Sequence, residues 1–236
     1  MKRVFLTVSV VFNLNLALFA QTKVEFEKFI GKFPVYDNYP YIRSQDYDKM
    51  TIPGKRAGRI DEIHLKTFIY DQGIKMIDMG CGVENFEEYV GDIQFPHTDS
   101  AYLVTIFPTL IDACGEGLLL VSYSKYDYKI RDTLWIDSDR RLPVIKIDDN
   151  MEIPRHLTIE SISTKDSIYV EKEIDYYLRE LNPRHSKRVK VTKFYTTYKI
   201  TTGGKFVIIR ERKEDEILDT FSYNLDKILH EKGINF

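Results

Sequence analysis

Near its start the chain has a long, mostly apolar stretch, and it then changes period twice. Val4 to Phe19 is apolar except for Thr7, Ser9, Asn13 and Asn15. From Thr22 to Phe33 the apolar residues are Phe26, Phe29, Ile30 and Phe33, at i, i+3, i+4 and i+7. That spacing puts them on one face of a helix. Thr22 and Glu25 fit a capping box, and Pro34 stops the helix. The stretch that follows reads as loop, punctuated by Pro34, Pro40, Pro53 and Gly54. Between Arg59 and Ile69 the pattern is double. Ile60, Ile63 and Phe68 fit a helix, whereas Ile63, Leu65 and Thr67 fit a strand. The reading leans to helix.

From about residue 100 the period becomes that of strands. AYLVTIFPT, GLLLVSYSK, KIRDTLWID, LPVIKID, HLTIESIST, DSIYVEKEI and RVKVTKFYTTYKI are short, rich in β-branched and aromatic residues, and divided by polar turns. Gly203-Gly204 reads as a two-residue hairpin link, because glycine accepts the positive φ of a tight turn. From Glu216 to Lys232 helical spacing returns, with Ile217, Leu218, Phe221, Leu225, Ile228 and Leu229 on one face and Gly233 as the stop. This order predicts an α+β protein, mainly antiparallel β. A β-meander (a twisted sheet, a partial barrel or a sandwich) would carry an N-terminal and a C-terminal helix packed on it. With no repeat and no linker, residues 21–236 are expected to form a single domain.

The apolar opening changes the picture of where this happens. Lys2 and Arg3 precede it and Ala20-Gln21 follows it, the layout of a secretory signal peptide over residues 1–20 with cleavage near Ala20. The run falls short of the roughly 20 apolar residues of a membrane span and contains two Asn. No Cys follows it, so a lipid anchor is not expected, and no later segment predicts a transmembrane helix. The expected location is periplasmic or secreted. The whole chain carries 34 Lys+Arg against 36 Asp+Glu, a formal charge of −2. Losing Lys2 and Arg3 with the leader takes the charge to −4. A mildly acidic surface argues against nucleic-acid binding, which needs a concentrated basic field. Export also separates the protein from ATP, NAD and S-adenosylmethionine, and no cofactor is expected. The two cysteines, Cys81 and Cys114, can pair as a disulfide, worth about 3–4 kcal/mol by chain entropy, or remain two buried thiols.

Candidate chemistry is sparse. IKMIDMGCGVENF, residues 74–86, resembles the first motif of class I S-adenosylmethionine-dependent methyltransferases, D-x-G-x-G-x-G. Asp78, Gly80 and Gly82 match it, while Glu84 stands where the third Gly belongs. The resemblance implies alternating strands and helices downstream, and the pattern shows consecutive strands instead. His97, Thr98, Asp99 and Ser100 lie side by side in a polar loop, where they point apart rather than assembling a triad. His64, His156, His185 and His230 show no zinc-binding spacing, and no metal is expected. Asp137-Ser138-Asp139 and Asp148-Asp149-Asn150 read as solvated turns, since the calcium-loop spacing fails at Arg141 and Leu142. The basic run at 183–193 reads as an edge strand guarded by charge.

Tyrosines carry the strongest remaining expectation. Tyr36, Tyr39, Tyr41 and Tyr47 cluster after the first helix, and Tyr123, Tyr126 and Tyr128 cluster later. The first group is the expected contact surface for an envelope protein or a glycan, because phenol rings offer apolar area with a polar tip. The Phe-Ala-Gln step at 19–21 and the general layout resemble uncharacterised exported envelope proteins of Gram-negative bacteria, a resemblance that implies no activity. The function expected is therefore a non-enzymatic binding protein of the envelope. The alternatives are a methyltransferase-like enzyme and a structural envelope component without a small-molecule site.

Overall fold

A computed structural model of the chain describes residues 22–36, 39–42, 60–73, 88–95, 98–109, 115–181 and 184–234. Most of them lie in one antiparallel sheet. Its strands are β1 (Tyr41–Ile42), β2 (Glu88–Phe95), β3 (Ala101–Thr109), β4 (Gly115–Ser124), β5 (Ile130–Lys146), β6 (Met151–Ser163), β7 (Ser167–Leu181), β8 (Arg184–Ile200) and β9 (Phe206–Ile217). The spatial order follows the sequence from β2 to β9, and β1 pairs the end of β6. This is the expected meander, built as one open sheet rather than as a sandwich. A few short helices accompany it, at 22–30, at Glu62–Leu65 with a wider turn over Lys66–Tyr70, and at Ser222–Glu231. Among the described residues, no helix is long and apolar enough to cross a membrane.

The pattern of apolar residues explains where the sheet is thick. Along β4, Leu118 and Leu120 point to one face and Leu119, Val121 and Tyr123 to the other, and both sets are buried. In β3, Leu103 shares the first face and Val104 and Ile106 the second. The unbroken run GLLLV is thus a strand covered on both sides. The first face continues through Ile136, Ile153, Leu157, Ile168 and Ile174 to Leu225 and Leu229 of the last helix. The second face is covered by Phe26, Phe29, Ile30 and Phe33 of the first helix and by Ile60, Leu65, Phe68 and Ile69. Phe26 lies 5.2 Å from Phe68, 5.4 Å from Tyr123 and 4.9 Å from Tyr128, ring centre to ring centre. Burying each ring contributes about 1.5–3 kcal/mol.

Several elements differ from the pattern reading, each for a local reason. β2 was not expected, because Gly91 and Gln94 interrupt its alternation. Gly91 is needed there: a Cβ would sit 2.7 Å from the Phe33 ring. A bulge falls between Gly91 and Gln94. The buried Thr105 hydroxyl fills it, accepting from Ile93 N–H at 3.0 Å and donating to Ile93 C=O at 3.2 Å. KIRDTLWID and LPVIKID belong to a single strand, so Asp137-Ser138-Asp139 is not a turn. β5 changes partner there, pairing β4 up to Arg140 and β6 from Ser138 onward. Pro143 lies in the bulge between Leu142 and Ile145, where its missing N–H costs no ladder bond. β9 runs to Ile217 and the last helix starts only at Ser222, so Ile217 and Leu218 leave the predicted helical face. The ladder wins because Ile217 still pairs Lys190 and Leu218 N–H donates to Val189 C=O.

The β8–β9 link is also longer than two residues. Thr201 N–H donates to Lys205 C=O and Gly204 N–H to Thr201 C=O. Only Gly204 has a left-handed φ, +80°. This turn reaches back across the sheet. The hydroxyls of Thr98 and Ser100 donate to Thr202 C=O, and Phe206 N–H donates to Asp132 at 2.8 Å. The sheet therefore curls until its far hairpin meets β3–β5, while β2 and β9 stay unjoined.

Candidate functional site

Three of the four predicted contact tyrosines come together, but around a core residue. Tyr36, Tyr39 and Tyr41 ring Phe95 at 6.5, 6.2 and 5.3 Å. Tyr41 is fully buried and belongs to the core. Tyr36 and Tyr39 are half-buried against it. Burial, with Asp166 nearby, pushes the Tyr39 phenol up to about 12. Tyr47, Cys81, Cys114, His97, the leader at 1–20 and the glycine motif at 74–86 lie outside the described residues. The described strands are antiparallel throughout. They give that motif no parallel frame of the kind its resemblance implies.

The histidine and acidic clusters resolve into clamps. His64 is buried, with Nδ1 2.6 Å from Asp61 and Nε2 3.7 Å from Glu25. Lys32 binds Asp61 in turn. The Lys32 ammonium first, and then the bonds to His64, hold the Asp61 carboxyl well below the usual carboxylate range. Asp61 also caps its helix, accepting from His64 N–H at 3.0 Å. The cluster ties helix 22–30 to the helix at Glu62. At the other acidic sites, His156 Nε2 lies 2.6 Å from Asp139, and Asp148 accepts from the N–H groups of Asn150 and Met151. Among the described residues, no group of three His, Cys, Asp or Glu could hold a metal ion.

From Arg184 the basic run lies in β8: among the described residues Arg184–Arg188 pair β7 alone, as an edge does, whereas from Lys190 onward β9 covers the other side. Its charges are met from both neighbours. Arg188 binds Asp175 and Glu173 of β7. Lys193 lies 2.8 Å from Glu173 and 3.6 Å from Glu171, and the bond to Glu173 lifts its ammonium to about 12. Lys190 is 3% exposed. It reaches Asp226 of the last helix at 2.6 Å and Asp215 of β9 at 3.4 Å, while the Thr192 hydroxyl donates to Asp215 at 2.7 Å. A buried ammonium needs such partners. It pins the last helix to the inner face beside Leu225 and Leu229.

What remains open is the far end of the sheet. On the outer face of β7–β9, Tyr169 stacks on Tyr195 at 6.5 Å, and the Arg212 guanidinium lies over the Tyr195 ring at 4.5 Å. Beside them a groove of about 560 Å³ is lined by Lys193, Tyr195, Glu214, Asp215 and Glu216. No protein family, curated protein or solved structure matches the chain. The site has to be judged on its chemistry alone. It offers one flat aromatic pair, a guanidinium plane, and ammonium and carboxylate groups at the groove. Such a set grips a polar or extended ligand by stacking and ion pairing. β9 itself is exposed along its length, with Val207, Ile208 and Ile209 46, 51 and 58% accessible. The sequence held a signal for this surface. Tyr169, Glu171 and Glu173 alternate on β7, Lys193 and Tyr195 on β8, and Arg210, Arg212 and Glu214 on β9. Without register, the alternation did not say which residues meet.

Proposed function

We propose that the protein is an exported, non-enzymatic binding protein of the cell envelope, and that its contact surface is the outer face of β7–β9. The observation that supports this reading is the exposed Tyr169–Tyr195–Arg212 stack beside the groove of Lys193 and Glu214. The N-terminal tyrosines instead face Phe95 and the core. A protein or glycan partner suits the stack, since both carry flat apolar faces bordered by polar groups. The export half of the reading rests on residues 1–20 and their layout.

Two measurements test it. The first purifies a partner on the parent protein and compares its affinity for Tyr195→Ala and for Arg212→Ala. Loss of about tenfold or more in each supports the reading, and unchanged affinity in both removes this face from it. The second fractionates cells making the chain and reads the mature N-terminus. Gln21 at the start of an envelope-located product supports export, whereas a full-length cytosolic product ends it.

A further inference from the structure

The two ends of the sheet are finished differently. The outer edge of β2 is met at Gln94: Gln94 N–H donates to Pro34 C=O, Tyr36 N–H donates to Gln94 C=O, and Val35 bridges Gln94. Among the described residues, β9 pairs on one side only, with β8. A long exposed edge that begins Val207-Ile208-Ile209 is a template for an added strand. The charge order of β9 says which strand fits. From Phe206 to Leu218 it reads FVII-RERKE-DEIL. Turned end for end about Arg212, Arg210 falls opposite Glu214 and Glu211 opposite Lys213. Ile209 is a bulge residue in the ladder with β8, so the regular register is the stretch from Arg210 to Glu214.

We infer that β9 pairs with β9 of a second copy of this chain, antiparallel and centred on Arg212. Symmetry makes each opposed pair occur twice, so the register contains four ion pairs between Arg210 and Glu214. Opposite charges facing one another across strands stabilise, and like charges oppose. The one like pair, Arg212 against itself, is shielded within each chain by the Tyr195 ring and by Glu214 at 3.3 Å. Neighbouring registers are worse. Centring on Glu211 sets Arg210 against Arg212 twice, and centring on Lys213 sets Glu211 against Asp215 twice. The pairing consumes the β9 edge of both copies, and the two-fold axis closes it as a dimer.

The inference shares Arg212 with the outer-face reading, and its test uses residues that face away from the stack. Glu211 and Lys213 pair Thr196 and Phe194, on the side opposite Tyr195. The test is sedimentation equilibrium of the purified protein from about 1 to 100 µM, with Glu211→Lys, Lys213→Glu and the double swap. The parent should be a dimer within that range. Each single swap sets two like pairs face to face and should raise the dissociation constant about tenfold or more. The double swap should restore it to within about threefold of the parent. Circular dichroism confirms that the exposed swaps leave the fold intact. A second variant, Arg212→Cys, should form an interchain disulfide under mild oxidation, while Lys205→Cys should not. A parent that stays monomeric at all concentrations, or single swaps that leave the dimer unchanged, or a double swap that fails to restore it, overturns the inference. A parent that stays monomeric while keeping its Tyr195-dependent partner leaves the proposed function standing and removes this one.

Discussion

The adjacent glycines at the β8–β9 turn should respond very differently to one added methyl group. At Gly204 φ is +80°, where a Cβ strains the backbone by about 1–2 kcal/mol. The same Cβ would lie 2.5 Å from Ala101 Cβ and closer still to the Ser122 hydroxyl. Overpacking of that kind adds about 1–3 kcal/mol. Gly204→Ala should therefore cost about 2–5 kcal/mol. Gly203 lacks the left-handed φ, and its nearest neighbour across space is Thr201 Oγ1 at 3.9 Å. Gly203→Ala should be neutral, or stabilising by up to about 1 kcal/mol through the unfolded chain. Urea unfolding followed by tryptophan fluorescence measures both. Trp135 is the only tryptophan and lies on β5, close to where the turn docks. A second arm separates strain from crowding. In a Ser122→Ala background the crowding eases and the φ strain stays, so the Gly204→Ala penalty should fall by about 1 kcal/mol or more. Equal midpoints for the two glycine variants would refute the docking of this turn against β3–β4.

Two further outcomes follow from the N-terminal layer. Phe29 is fully buried among Phe33, Phe68 and Tyr123 at 5.2, 5.2 and 5.7 Å, so Phe29→Ala should cost about 3–5 kcal/mol. The exposed Ile63→Ala, on the facing helix, should stay within about 0.5 kcal/mol, as the same urea series will show. Asp61 carries a carboxyl lowered from 3.8, chiefly by Lys32. A lowered carboxyl stabilises at pH values above 3.8 and loses that contribution as pH falls through its folded value. Because Asp61 is largely exposed, the charge part is about 1 kcal/mol or less. Asp61→Asn, which keeps the cap, should flatten the acid limb of stability against pH. Asp61→Ala should cost about 0.5–2 kcal/mol at neutral pH as well. An acid limb identical in parent and Asp61→Asn would deny the charge clamp.

The fold was legible where the residues repeat a period, and illegible where partners change. β3, β4, β6 and the core of β7 announce themselves because β-branched and aromatic residues alternate or run together between turns. β5 looked like two strands because Asp137-Ser138-Asp139 has the composition of a turn, and only the exchange from β4 to β6 explains why the ladder continues through it. Ile217 and Leu218 fit a helical face by spacing, yet cross-strand pairing with β8 claims them first. The proposed contact residues were less legible still. Tyr36, Tyr39 and Tyr41 cluster in sequence, but the chain wraps them around Phe95. Tyr169, Tyr195 and Arg212 are far apart in sequence, and meet because Tyr169 faces Thr197 and Tyr195 faces Arg212 in the ladder. A cluster in sequence measures local composition, whereas a surface is assembled by register.

The location of the open surface follows from how apolar residues are spent along the sheet. β3 and β4 are apolar on both faces, so they must be covered twice, and the phenylalanines of helix 22–30 can be buried only there. β7 and β8 are apolar on one face, which the inner core and Leu225 and Leu229 fill. Their outer face is left to glutamates, lysines and tyrosines that water can solvate. β9 is apolar on neither face beyond its first residues, and among the described residues no layer covers it. The β2 edge is met at Gln94 by Pro34–Tyr36, the very segment that the first helix delivers beside it. The same economy that fixes the core therefore leaves, among the described residues, one edge and one outer face uncovered. It puts them side by side at the β9 end, where Arg212 belongs to both.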